Sequence, residues 1–258
     1  MKNLSKLEPL VENVVTKRLR KTLDICAKRN MLTLIFGETG RGKTLTAAHW
    51  CARRPNARHI MLDASTSQAM LVRRLARELL GECRGSTEEN KNAIERYLLD
   101  NETILVIDEA NQLLEPPSLS AKKKNMEYLR LNLWEKTRTP VALIFTTYSL
   151  GEFEHGRLSA FLEQFLGRAM NRCDIPAGVF SVSEVTPIVR AIFPDASPEL
   201  ISAAVEIAGG TGKLRSLVAY LSIMRELVTD NPEMFKPDAM TLLDIRKNYE
   251  KGGEWPEE

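Results

Sequence analysis

A glycine-rich segment at residues 37–44 constrains this chain more than any other part of its sequence. It reads Gly-Glu-Thr-Gly-Arg-Gly-Lys-Thr and matches the Walker A pattern G-x-x-x-x-G-K-S/T at every fixed position. The apolar run Met31–Phe36 precedes it, and a helical pattern over Thr44–Arg53 follows it. A strand, a glycine loop and a helix N-terminus in this order form a cradle for a polyphosphate. The segment therefore predicts that the chain binds a nucleoside triphosphate.

Each residue type in this loop has a physical role in holding phosphates. The glycines let the backbone turn its N–H groups toward the ligand, while the Lys43 ammonium reaches the β- and γ-phosphates. The Thr44 hydroxyl is a candidate ligand of Mg²⁺. We expect the whole loop to contact the nucleotide: Gly37, Glu38, Thr39, Gly40, Arg41, Gly42, Lys43 and Thr44. ATP and Mg²⁺ are the expected cofactors.

A second motif supports the first. Ile104–Glu109 is an apolar run that ends in two adjacent carboxylates, as in a Walker B strand. There Asp108 would bind the nucleotide's metal and its water shell, and Glu109 would orient and polarise the attacking water. A glycine loop alone also occurs in ordinary turns, but both motifs together predict an ATPase with Glu109 as a catalytic residue.

Composition limits the other functions open to the chain. Its 36 Lys and Arg residues against 34 Asp and Glu residues give a net charge of +2, so any nucleic-acid surface must be a local patch. The four cysteines are widely spaced and form no C-x-x-C pair, which favours reduced thiols over zinc or disulfides. The N-terminus lacks a signal-peptide core, and no apolar run approaches the ~20 residues of a membrane span. We therefore expect a cytoplasmic protein with no membrane partner.

The order of apolar runs and helical patterns predicts an α/β core followed by a helical lid. Strands are expected at residues 31–36, 58–63, 104–109 and 141–147, and helices at 44–53, 66–82, 86–101 and 126–136. Strands this apolar, separated by helices, indicate a parallel sheet covered on both faces. After about Asp174 only helical patterns remain, at 181–193, 197–208 and 213–228. Helix starts are predicted by capping boxes at Ser86 and Ser181 and by Ser197 before Pro198. The expected domains are a P-loop core at 1–176, a helical lid at 177–250 and a flexible tail at 251–258.

A P-loop core with a helical lid resembles the AAA+ ATPases, and further residues extend the resemblance. Thr146 and Thr147 end the fourth predicted strand, where that family places its polar sensor-1 residue; we assign Thr147 to this role. Arg168, or else Arg172, occupies the region of the family's arginine finger, although both are also typical of surface ion pairs. The Gly-Lys-Leu-Arg sequence ending at Arg215 resembles the sensor-2 motif, which implies that Arg215 contacts the nucleotide.

Within the AAA+ proteins, the chain resembles the transposition target-selection ATPases, which include the bacteriophage Mu B protein and Tn7-type relatives. The resemblance extends from Thr16 to Val228 and rests on the segments Ile-Asp-Glu-Ala-Asn-Gln-Leu, Phe-Leu-Gly-Arg-Ala-Met-Asn-Arg and Gly-Lys-Leu-Arg. It implies ATP-dependent helical filaments on duplex DNA, attraction of a transposase, and disassembly on hydrolysis. The chain departs from this family in two places. About thirty residues precede the first strand, which we expect to be too few for an N-terminal helix-turn-helix, and Thr147 occupies a position where Asn is common.

Basic clusters mark candidate DNA contacts. Leu114–Asn125 contains two prolines, which predict a loop, and it carries the adjacent residues Lys122, Lys123 and Lys124. The corresponding AAA+ region faces the central channel, so these lysines are candidates for salt-sensitive, sequence-independent phosphate contacts. A solvated lysine loop is the alternative. Further basic candidates are Arg18 and Lys21 before the first strand, and Arg73, Arg74 and Arg77 on the helix predicted at 66–82.

Three functions follow from these features. The first is a DNA-binding, oligomerising AAA+ ATPase that regulates transposition. Its expected partners are double-stranded DNA, a transposase or other recombination protein, and copies of itself in a ring or helical filament. The second is a helicase- or initiator-loading AAA+ ATPase, which uses the same ATP site to deliver a partner. The third is a signalling or secretion ATPase that does not bind DNA.

Overall fold

The computed structural model describes residues 10–155, 159–210 and 212–251. Most of the tail predicted at 251–258 therefore lies outside the described residues. Within those limits the chain divides into two compact units, one of residues 18–38 and 43–176, the other of residues 10–17, 39–42 and 177–251. Among the described helices, none combines the length and the apolar character needed to cross a membrane.

The first unit is built on a parallel sheet of five strands in the order β2-β3-β4-β1-β5. The strands are β1 (Leu32–Phe36), β2 (Ala57–Met61), β3 (Ile104–Asp108), β4 (Val141–Phe145) and β5 (Asn171–Asp174). Every residue of β1, β3 and β4 is buried, so both faces of the central sheet are covered, as their apolar sequences predict. The predicted α/β architecture is confirmed.

The edge strand β5 is an addition to the predicted sheet. Its sequence, Asn-Arg-Cys-Asp, has neither the apolar content nor the β-branched residues typical of a strand. Tertiary contacts hold it instead, since the Asn171 side-chain amide donates to Thr33 Oγ1 at 2.9 Å and to the Thr22 carbonyl at 3.1 Å. Such long-range bonds leave no local signal in the sequence.

Several α-helices precede or connect these strands, and one of them begins at a capping box that its sequence predicts. They are α1 (Val14–Lys28), α2 (Lys43–Ala52), α3 (Gln68–Leu80), α4 (Thr87–Asp100), α5 (Leu119–Glu127), α6 (Leu150–His155) and α7 (Ser159–Arg168). The capping box at the start of α4 is formed in both directions: Ser86 N donates to Glu89 Oε2 at 2.6 Å, and Glu89 N donates to Ser86 Oγ at 3.2 Å.

The loop predicted at 114–125 is wrong, because most of it is helical. A 3-10 turn covers Ala110–Leu114, and α5 then begins at Leu119 and leads into a π-helical segment at Tyr128–Glu135. The two prolines lie just before Ser118, whose hydroxyl caps α5 by accepting from Ala121 N at 3.0 Å. Proline that precedes a helix does not oppose it, because the ring disrupts only positions beyond the first turn. The lysine run therefore lies on α5.

The second unit is helical over the described residues after 177. It contains α8 (Val182–Ile192), α9 (Pro198–Gly209), α10 (Leu214–Asp230) and α11 (Ala239–Lys251). The predicted caps are present, with a capping box at Ser181 and Glu184, and with Ser197 before Pro198 at the start of α9. Helix α11 was not predicted; its Leu242 and Ile245 complete an apolar core with α8, α9 and α10.

Candidate functional site

The Walker A loop lies at the carboxyl end of a central strand, as the sequence predicts. β1 ends at Phe36 and α2 begins at Lys43, so the loop connects a buried strand to a helix N-terminus. Gly40 and Gly42 adopt left-handed backbone conformations, with φ of 76° and 78°, which other residues rarely adopt. This path turns the chain sharply enough to direct backbone N–H groups toward a phosphate.

The Lys43 side chain is enclosed by the backbone of the Walker A loop. It is 3% exposed, and its ammonium donates to the Gly37 carbonyl at 2.6 Å and to the Glu38 carbonyl at 2.7 Å. The backbone of the loop therefore holds a positive charge at the position where the motif requires one. Phosphate oxygens carry more negative charge than carbonyl oxygens and are the stronger partners for this ammonium.

Asp108, the last residue of β3, is a buried carboxylate that three donors surround. Its Oδ1 accepts from the Glu109 N–H at 2.9 Å, its Oδ2 lies 3.2 Å from His59 Nε2, and the Thr44 hydroxyl also bonds to it. Burial on its own would raise the pKa of Asp108. The hydrogen bond and the charge of His59, together with the hydrogen bonds from Thr44 and the Glu109 N–H, outweigh burial, so the pKa is lowered. The side chain is therefore ionised at neutral pH.

The pairing of Thr44 with this ionised carboxylate fits a magnesium ion. Mg²⁺ prefers oxygen ligands and is commonly held by one or two protein groups together with phosphates and water. Thr44 and Asp108 supply a hydroxyl and a carboxylate that already contact each other. These two residues would hold the ion, as the sequence predicts.

Glu109 has an unusual backbone and a specific partner. Its φ is +53°, in the left-handed region that a glutamate seldom occupies, and strain of this kind is common at functional sites. Its Oε2 accepts a hydrogen bond from Thr146 Oγ1 at 2.9 Å, and the same hydroxyl lies 2.9 Å from Asn111 Oδ1. Thr147 is exposed. The structure thus brings Thr146 to Glu109, whereas the predicted catalytic role of Thr147 stays a prediction without a contact to support it.

The two candidate arginine fingers differ in how many bonds they make within their own chain and in their exposure. The Arg172 guanidinium bonds to the Glu154 carboxylate, to the Leu166 carbonyl at 2.6 Å and to the Ala169 carbonyl at 2.8 Å. Arg168 is 62% exposed, and its Nε lies 3.2 Å from Glu135 Oε1. An exposed ion pair of this kind contributes little and exchanges easily. The geometry therefore favours Arg168 as the arginine that is able to reach another molecule.

Arg41, the variable residue before Gly42, is buried within the second unit. Its guanidinium donates to the Gly178 carbonyl, stacks 3.9 Å from the centre of the Phe180 ring, and has Nη1 3.7 Å from Glu184 Oε1. Burial lowers the pKa of Arg41, and the Glu184 carboxylate opposes this shift. The side chain is engaged away from any phosphate. Its predicted contact with the nucleotide is accordingly limited to its backbone N–H.

The segment that resembles sensor 2 packs against Gly40, and both belong to the second unit. A Cβ placed on Gly40 would lie 2.9 Å from Lys213 Cβ and 3.1 Å from the Gly212 carbonyl, so only glycine fits there. Lys213 has a φ of +52°, and α10 begins directly after it. Arg215 is exposed on the first turn of α10. The contact of Arg215 with the nucleotide stays a prediction.

The candidate DNA contacts lie on α5, α1 and α3, and most of their side chains are exposed. On α5, Lys123 and Lys124 are exposed and Lys122 is half-buried, while on α1 both Arg18 and Lys21 are exposed. The amide of Gln68, at the start of α3, donates to the Lys124 carbonyl at 3.1 Å and ties α3 to α5. DNA binding by any of these side chains stays a prediction.

Comparison with known proteins finds one family model that matches part of this chain, and several solved structures with a similar fold. Residues 26–152 match the family model described as an AAA domain. No curated protein matches the sequence. Similar solved structures include the ORC1 protein of Aeropyrum pernix in complex with DNA, at 18% identity and a TM-score of 0.63, covering 94% of this chain and 67% of that one.

Two further structures have the same fold at lower identity. The Aeropyrum pernix ORC2 protein, solved as ADPNP-ADP complexes, is 13% identical with a TM-score of 0.69, covering 98% of this chain and 72% of that one. Domain III of the Thermotoga maritima replication initiation protein DnaA is 13% identical with a TM-score of 0.59, covering 94% of this chain and 98% of that one. Residues 26–152 thus match the AAA domain model, and the chain shares an α/β P-loop core with these solved structures.

Proposed function

We propose that this chain is an ATP-hydrolysing AAA+ protein that assembles on duplex DNA without sequence specificity. In this proposal it regulates DNA transposition by selecting a target site and recruiting a transposase. The observation that carries the ATPase part is the set of contacts around one phosphate site: Lys43 enclosed by the glycine loop, Thr44 paired with ionised Asp108, and Glu109 held by Thr146.

The arrangement divides the work of hydrolysis among these side chains. Lys43 and the loop N–H groups bind the β- and γ-phosphates, and Mg²⁺ bound by Thr44 and Asp108 would neutralise charge on them. Glu109 orients a water molecule in line with the γ-phosphate and accepts its proton. Thr146 fixes the carboxylate of Glu109 for this step. Positioning and electrostatic stabilisation are the main means of catalysis in phosphoryl transfer.

The DNA part rests on surface charge and on one similar structure. Lys123 and Lys124 on α5 are exposed, as are Arg73 and Arg77 on α3, and basic side chains of this kind bind phosphates regardless of sequence. The Aeropyrum pernix ORC1 protein was solved in complex with DNA. Exposed Arg168 supports the assembly part, because an arginine finger acts on a neighbouring subunit.

An initiator-type ATPase is the second candidate. The comparisons favour it, since the similar structures include the ORC proteins and a domain of DnaA, a replication initiation protein. Such a protein would use the same ATP site to deliver a partner to DNA. The two candidates share the phosphate site and differ in what the ATP-bound assembly does on DNA.

A titration of labelled duplex DNA separates these functions. We expect binding that requires ATP, depends on duplex length and is the same for unrelated sequences. The Lys43→Ala variant should lose the ATP dependence, because the β- and γ-phosphates lose their mobile cation. Preference for one sequence, or binding only with a partner protein, would favour the initiator type. Absence of binding at low salt in the presence of ATP would contradict both and favour an ATPase that does not act on DNA.

A further inference from the structure

His59, on the edge strand β2, contacts the buried carboxylate at the end of β3. In the parallel pairing of these strands His59 lies opposite Val106, and Met61 lies opposite Asp108. Side chains alternate along a strand, so Asp108, two residues after Val106, lies on the same face of the sheet as His59. Their side chains meet there, with His59 Nε2 3.2 Å from Asp108 Oδ2.

The chemistry of the pair decides which atom carries the proton. Asp108 is fully buried, and it can bind a metal ion only as a carboxylate, whose oxygens accept hydrogen bonds, as Oδ1 does from the Glu109 N–H. The Nε2 atom of His59 must therefore be the donor. The imidazole is 15% exposed, which keeps this bond largely out of competition with water.

Two donors from different elements fix the plane of the Asp108 carboxylate. His59 binds Oδ2 from β2, and the Glu109 N–H binds Oδ1 from the turn after β3. Each carboxylate oxygen has a second lone pair, which leaves acceptor sites for the Thr44 hydroxyl and for a water molecule of a hydrated metal ion. Without the His59 bond, only the Glu109 N–H and the Thr44 hydroxyl would restrain rotation of the carboxylate about its Cβ–Cγ bond.

We propose that His59 is a positioning residue, which holds Asp108 in the orientation needed to bind a magnesium–nucleotide complex. It acts through Asp108 and does not itself contact the nucleotide. Outer partners of metal ligands commonly change metal affinity 10- to 100-fold when they are removed. The inference rests on the nucleotide-binding function proposed above.

Three substitutions of His59 separate positioning from simple structural support. In His59→Gln the amide nitrogen reaches the place of Nε2, whereas in His59→Asn it reaches only the place of Nδ1. His59→Val removes the donor but retains a residue that favours strands. His155→Gln is the matched control, since His155 is exposed at the end of α6. Thermal unfolding of each variant shows that the fold is retained.

The measurement is the binding of a fluorescent ADP analogue, first in EDTA and then with increasing Mg²⁺. We expect unchanged affinity in EDTA for all four variants. The Mg²⁺ midpoint should rise about 10-fold or more in His59→Val and His59→Asn, and it should stay near the wild-type value in His59→Gln and His155→Gln. This readout needs no hydrolysis.

Two results would overturn the proposal. Equal Mg²⁺ midpoints in wild type and His59→Val would show that Asp108 is positioned without His59. An equal loss of affinity in EDTA and in Mg²⁺ for every His59 variant, Gln included, would reduce the residue to structural support of β2. Either result leaves wild-type nucleotide binding intact, whereas failure of the proposed function itself would appear as wild-type protein that does not bind the analogue.

Discussion

At the scale of single residues, one proton determines how the candidate base is held. The Thr146 hydroxyl has one hydrogen and two neighbours, Glu109 Oε2 and the Asn111 side chain, each at 2.9 Å. An ionised carboxylate only accepts, so a Glu109 ready to act as a base takes the hydrogen. Asn111 Oδ1 lies beside the same hydroxyl and competes for this hydrogen, but an ionised carboxylate is the stronger acceptor. The Thr146 hydroxyl therefore holds the carboxylate of Glu109.

This arrangement predicts that Thr146 matters more for turnover than Thr147. Thr146→Val keeps the shape of the side chain and removes the donor. A hydrogen bond to a charged group is worth about 1.5–3 kcal/mol, so we expect steady-state hydrolysis to fall about tenfold or more. Nucleotide affinity should change little. Thr147→Val is the matched control and should behave as wild type. A larger effect at Thr147 would restore the sensor-1 assignment made from the sequence.

Local patterns identified the residues of the phosphate site that are close in sequence, and missed those that are not. Walker A and Walker B are contiguous motifs, so Lys43, Asp108 and Glu109 could be predicted directly. The bonds from Thr146 to Glu109 and from His59 to Asp108 join residues 37 and 49 positions apart. Only strand order brings them together. A single polar residue in a strand, or just after one, is a weak signal until its partner is known.

At the scale of elements, capping residues predicted helix starts correctly, whereas two prolines led to the wrong prediction of a loop. Ser86, Ser181 and Ser197 each precede a helix as expected. The two prolines before Ser118 were interpreted as evidence for a loop, although the chain resumes a helix directly after them. The difference matters for DNA binding, because successive residues of a helix point about 100° apart. The three lysines therefore cannot all face one phosphate strand.

Helix α5 consequently makes a narrower prediction than a flexible loop would. Replacing Lys122, Lys123 and Lys124 with Ala should weaken DNA binding equally for unrelated sequences. The log–log salt slope should fall by about 0.9 for each phosphate that the variant no longer neutralises, and the helix geometry limits these to about one or two. Ala favours helices, so thermal stability should not fall. Arg18→Ala with Lys21→Ala on α1 is the comparison variant. An unchanged slope in the lysine variant alone would move the DNA-binding surface to α1.

At the scale of the whole molecule, the sequence predicted the α/β core and the helical C-terminal region because both follow from periodicity and caps. The narrower assignment to transposition rests on short segments that other AAA+ proteins share in part. The comparisons support the AAA domain and similarity to replication initiators. Fold similarity at 13–18% identity does not carry a partner or a reaction pathway with it. Both proposed functions require that ATP bound at the phosphate site promotes assembly of several subunits.

Arg168 provides the test of assembly. Its exposed ion pair with Glu135 in the same chain leaves the guanidinium able to move to a γ-phosphate on a neighbouring subunit. Arg168→Ala should therefore bind ATP normally yet lose most hydrolysis, since arginine fingers typically contribute 10³- to 10⁵-fold. Arg172→Ala should behave differently. Arg172 bonds to two backbone carbonyls, so its loss should lower thermal stability as well as any activity.

Mixing variants distinguishes a finger from a surface arginine. Arg168→Ala subunits retain a working pocket, and Lys43→Ala subunits retain a working finger, so an interface between them restores one complete site. At equal mixing in a head-to-tail assembly, about a quarter of the interfaces should be complete, and phosphate release should recover to about that fraction of wild type. A mixture of Lys43→Ala with Glu109→Gln is the matched control, because neither subunit has a working pocket and no interface can hydrolyse ATP. If the first mixture stays as inactive as this control while light scattering shows intact assembly, Arg168 acts within its own chain and its pairing with Glu135 is its role.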